Sequence, residues 1–530
     1  MALASLKILH ASLFVLLSLR TVHSAHTIPI VDLGYAKYQG ALDVALNITS
    51  FLGIRYAAAP TGNLRWRAPS LPSAVSGVQL VDTSPPPCYQ DTLGAAPTNR
   101  DDSQSEDCLF LSVYSPAINS TKLLPTIVWI HGGGYVLGSA GDYNGAELVQ
   151  ESNNEVVVVV IQYRLGLFGF LAGEQVQDGG VLNAGLLDQD FALRWVNKNI
   201  RKFGGDPEKV TIWGESAGAG SVIQHVVAHG GKTEPQLFRA AITSSTFLPS
   251  QYVYNDRIPQ TQFNDVAAEA GCIPAEPDAL ECLRGIDVAA LQEINLNVIN
   301  FVPVIDKSFI TQSPTELLAQ GSVNGDILLS MTNTNEGVIF VNQSVEYDVA
   351  QYVGQLFPLF GAQESAAVAS IYESLGSPLD QVNAIILRYN MQPANWTAAI
   401  FVCPTYRLLD AFPNASYKGE YAVPPALHGD DVFYYFPSFV LSGSMLQFNN
   451  TIFRTAFDQG FLSFAAHLDP NAKLLPTITP AWPKWSESAP QEMVFNRTEG
   501  GAPWISTAPT SEAFLERCEF WKSVRSLTAQ

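Results

Sequence analysis

Positive charge is scarce in this chain. Its 530 residues hold 29 lysines and arginines against 49 aspartates and glutamates, a net charge of −20. That balance excludes nucleic acid and anionic membrane surfaces as first-choice partners. Charged residues of both signs reach only 15 %, while hydrophobic residues reach 47 %, so the chain is a packed globular protein and not a disordered one. Histidine is rare, eight in all, which shortens any search for a general base. No internal repeat and no low-complexity linker divides the sequence. No segment reaches the roughly 20 apolar residues that a membrane-spanning helix needs. No cysteine pair has CxxC or zinc-finger spacing, so neither redox nor zinc chemistry is indicated, and no cofactor or metal is expected.

What is present begins with "MALASLKILHASLFVLLSLRTVHSAHT". Lys7, a short apolar run and small residues at Val22 and Ser24 read as a secretory signal peptide over 1–24, cut after Ser24 or Ala25. Residues 25–530 then form one domain, which such a length permits. A secreted chain with an even number of cysteines is expected to form disulfides, and six cysteines admit many pairings. Joining Cys88 to Cys108 and Cys272 to Cys282 would leave Cys403 with Cys518. Glycosylation sequons occur at Asn47, Asn119, Asn342, Asn395, Asn414, Asn449 and Asn496, which places those loops on the surface.

Apolar runs of strand length recur at "TIVWI", "EVVVVVIQY", "VTIW" and "DILLSM". Runs without alternation suit strands covered on both faces. Between them, "LLDQDFALRWVNKNI" has helical periodicity. Strands alternating with helices predict an α/β fold with a large, mostly parallel central sheet and helices on both faces. Ligands in such folds sit beyond the C-terminal ends of the strands.

Two motifs fall there. "GESAG" follows a strand and centres on Ser216; "HGGG" follows another, at 131–134. A serine hydroxyl is a weak nucleophile that needs a base, and the base needs an orienting acid. His225 and His229 are read onto the helix that starts at Ser216, pointing away from its N-terminal end, and His467 onto a helical stretch. His131 precedes the glycines. His428, in the Pro- and Gly-bounded loop "PPALHGDD", is the candidate base. Glu336, just past the strand "DILLSM", is the candidate acid, with Asp306 and Asp326 as rivals. The order Ser, acid, His fits an α/β-hydrolase. An ester carbonyl becomes an oxyanion in the transition state, and backbone N–H groups of Gly133, Gly134 and Ala217 could receive it. "GGKTE" at 230–234 mimics a phosphate-binding loop, but a helix precedes it and the leading glycine is missing, so nucleotide binding is rejected.

Together these residues resemble the type-B carboxylesterase/lipase family, the cholinesterase-like branch of the α/β-hydrolases. "FLGIRYAAAPTGNLRWRAP", "SEDCLFLSVY", "HGGGY", "YRLGLFGFL", "GLLDQDFALRWVNKNIRKFGGDP" and "GESAG" look like successive blocks of that family in the right order. The resemblance implies a Ser216–Glu336–His428 triad and an oxyanion hole at Gly133, Gly134 and Ala217. It agrees with the disulfides Cys88–Cys108, Cys272–Cys282 and Cys403–Cys518. It also implies structural salt bridges Arg65–Glu106 and Arg164–Asp188, and for Glu215 an electrostatic influence without a chemical step.

One departure matters. The loop between the first two cysteines, "YQDTLGAAPTNRDDSQSED", has no tryptophan and is short and mostly polar. Both the choline-binding tryptophan and the long apolar lid of true lipases are missing from it. The expectation is therefore a secreted, fungal-type carboxylic-ester hydrolase acting on a small-molecule or lipid ester. Lipase, sterol-ester, carotenoid-ester and feruloyl-ester hydrolysis are the alternatives. A non-catalytic adhesion module is a distant one, since such domains usually lose a triad member and none is missing here.

Overall fold

The unbroken Val and Ile runs do form the centre of the molecule. In the computed structural model, which describes residues 29–91, 103–116, 118, 121–297, 301–385, 401–439 and 447–530, they belong to one 11-stranded sheet. The expected signal peptide and the sequons at Asn119 and Asn395 lie outside the described residues. From one edge the strands run Pro503–Pro509, Gln491–Arg497, Ser416–Tyr421, Ile327–Asn333, Ala240–Ser244, Gly205–Glu215, Leu124–Ile130, Val157–Ile161, Phe110–Ser115, Ile48–Arg55 and Ala41–Asp43. Pairing is parallel from Gln491–Arg497 to Val157–Ile161 and antiparallel at both margins.

The strand Val157–Ile161 shows why its residues do not alternate. Val157, Val159 and Ile161 enter one core with Leu186, Val196 and Val222 from the helices Ala184–Asn199 and Ala217–Val227. Val158 and Val160 enter the other with Leu148, Phe457 and Phe461 from the helices Gly145–Glu151 and Thr451–His467. Side chains on both faces must be apolar because both faces are covered. Each is worth about 1.5–3 kcal/mol when fully buried.

A second, three-stranded sheet of Ile30–Asp32, Lys37–Gln39 and Val78–Leu80 was not legible from the sequence. Its strands are three residues each and carry no apolar run. The disulfides join Cys88 to Cys108, Cys272 to Cys282 and Cys403 to Cys518. Arg65 pairs with Glu106 at 2.5 Å, partly buried, and Arg164 with Asp188 at 2.7 Å, fully buried. No helix among the described residues is long and apolar enough to cross a membrane.

Parallel pairing is what gathers the site. Ile130, Glu215, Ser244 and Asn333 all end strands that point the same way. The segments that follow them, which begin at His131, Ser216, Ser245 and Thr334, therefore emerge side by side.

Candidate active site

Ser216 occupies the turn between the strand Gly205–Glu215 and the helix Ala217–Val227, with φ 56° and ψ −123°. A serine rarely adopts a positive φ, and such strain persists only where the surroundings enforce it. Here its N–H donates to Ser244 O at 3.0 Å and its carbonyl accepts from Gly220 N at 2.8 Å. The flanking glycines are required by contact. A Cβ on Gly214 would lie 2.4 Å from the Gly218 carbonyl carbon, and one on Gly218 would lie 2.0 Å from Ile130 O. Strand, turn and neighbouring strand are thus packed backbone on backbone.

The HGGG segment folds beside that turn. Gly133 has φ 102° and Gly134 φ 65°. The Gly133 carbonyl accepts from Val136 N at 3.0 Å and Leu137 N at 2.9 Å, which closes the segment into a tight turn. A Cβ on Gly132 would lie 3.0 Å from the Ser216 Cβ, so the loop rests against the serine. Among the described residues, nothing accepts from the N–H groups of Gly133, Gly134 or Ala217. Ala217 is the first residue of its helix, where such a donor is unpaired and carries partial positive charge.

His131 is stacked on Tyr163 at 4.4 Å, and its Nδ1 lies 2.9 Å from Gly132 O. Burial pushes its pKa down to about 4, so it stays neutral. His225 is buried on its helix and bonded to Gln189 at 3.1 Å. His229, read onto the same helix, instead sits in the following turn, because the chain leaves helical geometry there (φ 54°). His467 is exposed at a helix end.

His428 and Glu336 meet across 92 residues of chain. His428 Nδ1 lies 2.6 Å from Glu336 Oε2, so Nδ1 carries the proton. Glu336 Oε1 accepts from Ser245 Oγ and from Asn333 N, each at 2.7 Å. Asp306 instead accepts from Asn183, Ser308 and Ile310 as the centre of a buried turn, and Asp326 is exposed at a strand start. The second ring nitrogen of His428 lies 3.2 Å from Glu215 Oε1. Burial works against the imidazolium, but Glu215 and Glu336 outweigh it and raise the His428 pKa. Glu215, buried and near Asp431 and Glu336, is pushed up to about 8 despite the opposing imidazole.

Sequence reasoning missed the layer behind this pair. Asn333 Nδ2 donates to Ser245 Oγ at 2.9 Å and to Asp431 Oδ1 at 3.0 Å, while Tyr435 OH donates to Asp431 Oδ2 at 3.1 Å. Burial pushes Asp431 up to about 6. Only the second aspartate of "HGDD" could have hinted at it. Phe340, one of the aromatic residues near the motifs, packs on His428 with ring centres 5.0 Å apart; Phe401 packs there too, at 4.4 Å, and Phe247 lies 5.5 Å beyond Phe401. Phe301, Phe433 and Tyr434 are core residues.

The profile of the Carboxylesterase family matches residues 29–521. A secreted triacylglycerol lipase of Gibberella zeae is 30% identical over 496 residues, 83% of this chain and 82% of that protein. A carboxylesterase of Aspergillus clavatus is 31% identical over 490 residues, 80% of this chain and 86% of that protein. The crystal structure of Aspergillus niger EstA superposes with a TM-score of 0.82 at 30% identity, covering 95% of this chain and 99% of that one.

Proposed function

From the premise that the chain belongs to the carboxylesterase family, an α/β-hydrolase fold of ester hydrolases, we propose that it is a secreted enzyme cleaving carboxylic esters through Ser216, Glu336 and His428. The observation that carries the reading is the 2.6 Å contact of Glu336 with His428 Nδ1, set beside a strained turn that presents Ser216. Proton-bearing Nδ1 leaves the other ring nitrogen as the base. It takes the proton of Ser216 Oγ, and that oxygen attacks the ester carbonyl. The N–H groups of Gly133, Gly134 and Ala217 receive the resulting oxyanion. His428 then protonates the departing alcohol, and water activated by the same nitrogen releases the acid from the acyl-serine. Glu336 fixes the tautomer and stabilises the transient imidazolium; Glu215, an electrostatic neighbour of the same ring, takes no chemical step. No step requires a cofactor.

Secretion is supported by three disulfides, by the N-terminal sequence and by relatives named as secreted. Asn47, Asn414 and Asn449 are exposed, and Asn342 and Asn496 half-buried, as sites of glycosylation. A second reading, hydrolysis of long-chain esters, is favoured by the aromatic wall of Phe247, Phe401 and Phe340 beside His428. The test is kcat/KM for p-nitrophenyl esters from acetyl to palmitoyl, with Ser216→Ala as the blank. A maximum at short chains is expected. A maximum at long chains selects the second reading, and a blank as active as the wild type removes Ser216 from the mechanism.

A further inference from the structure

Among the described residues of the loop closed by Cys88–Cys108, Gln90 reaches the turn that follows HGGG. Gln90 Nε2 donates to Gly138 O at 3.1 Å, and Gly138 N donates to Gln90 Oε1 at 3.1 Å. The amide therefore pairs with both backbone groups of one residue, as a neighbouring strand would. One residue further on, Asp91 N donates to Val136 O at 2.9 Å. Gln90 is itself held: its N–H donates to Gln104 Oε1 at 3.1 Å, and its carbonyl accepts from Gln292 Nε2 at 2.6 Å. At the far end of the same loop, Gln162 Nε2 donates to Cys108 O at 2.7 Å, while Gln162 Oε1 accepts from Ser139 Oγ at 3.3 Å.

Gly138 is the outer anchor of the turn that aims Gly133 and Gly134. It has φ 107°, and a Cβ there would lie 2.4 Å from His131 Nδ1. The turn is closed so tightly that a Cβ on Gly133 would lie 2.1 Å from Leu137 O. A displacement of 136–138 is therefore passed to the peptide planes of 133 and 134 and not absorbed between them.

We propose that Gln90 is a positioning residue for the oxyanion hole, and that through it the Cys88–Cys108 loop sets where the Gly133 and Gly134 N–H groups point. The proposal rests on the reading of these groups as the oxyanion hole. Gln90 touches no substrate. It acts by fixing Gly138, and a shift of about 1 Å at reacting groups is enough to cost roughly 10² in rate.

The experiment compares wild type, Gln90→Ala, Gln90→Glu and Ser216→Ala. It measures kcat and KM for p-nitrophenyl butyrate, Ki for an alkyl trifluoromethyl ketone, and Tm. The ketone adds the serine oxygen to its carbonyl carbon, and its hemiketal oxyanion occupies the hole. Loss of a whole hole donor costs about 10²–10³, so misaiming two should cost less. Gln90→Ala is expected to lower kcat by about 10- to 100-fold with KM nearly unchanged and to raise Ki by a similar factor. Gln90→Glu keeps the acceptor for Gly138 N and loses the donor, so it should fall between. A purely structural role predicts fewer active molecules with the same Ki; that result, or wild-type kinetics in Gln90→Ala, overturns the proposal while leaving the proposed function intact. Turnover by Ser216→Ala would instead strike the proposed function itself, and the Gln90 proposal with it.

Discussion

Consider adding one methyl group at Gly218, inside the helix that follows Ser216. Its Cβ would lie 2.0 Å from Ile130 O, and 2.9 Å from both the carbonyl carbon and oxygen of His131. Ordinary contact begins near 3.4 Å, so something must move by roughly 1 Å, and both partners are backbone. Ile130 ends the strand that leads into HGGG, and Gly218 lies two residues past the serine. The methyl group therefore pushes apart the two segments that together form the proposed oxyanion hole and nucleophile. Overpacking of this kind costs about 1–3 kcal/mol of stability, and misplacement by about 1 Å costs on the order of 10² in turnover. Gly218→Ala should lower kcat for p-nitrophenyl butyrate by about that factor and lower Tm by a few degrees. Gly285→Ala is the control: nothing lies within 4 Å of its added Cβ, at the end of the helix Ala279–Gly285. It should stay within about 0.5 kcal/mol of wild type with unchanged kcat. A Gly218→Ala protein with wild-type kcat and Tm would refute the backbone-contact argument.

Three further expectations follow from the same site and scaffold. Glu336→Gln removes the carboxylate that fixes the His428 tautomer and should lower kcat by about 10⁴ with Tm little changed; a loss below tenfold would exclude Glu336 as the orienting acid. Native Glu215 binds its proton up to about pH 8, whereas an unfolded glutamate releases it near 4.5. Between these values the native state holds more protons, its stability falls as pH rises, and Glu215→Gln should soften that decline; an unchanged Tm–pH slope would contradict this. Removing Cys403–Cys518, 115 residues apart, should cost about 2 kcal/mol more than removing Cys272–Cys282, 10 apart, in the chain-entropy account, which equal Tm losses would rule out.

Sequence by itself determined the parts of this protein whose physics is local. Unbroken Val/Ile runs announced strands buried on both faces, and helical periodicity announced Ala184–Asn199. The glycines around Ser216 and after His131 stood out in the sequence, and in the fold they fill places where a Cβ would strike neighbouring backbone. Tertiary structure decided whatever depends on residues distant in the chain. The sequence favoured Glu336 for its place past a strand and left Asp306 a rival; it is Glu336 that meets His428, because parallel strands bring 333–336 and 426–428 together. The same pairing assembles Ser245, Asn333, Asp431 and Tyr435 behind His428, and sets Phe401 against its ring. Even Gln90, an ordinary polar residue in a polar loop, gains its partner only when that loop folds over Gly138. A hydrogen bond is decided within a few ångströms, and which groups come that close is fixed by the sheet order and not by spacing along the chain.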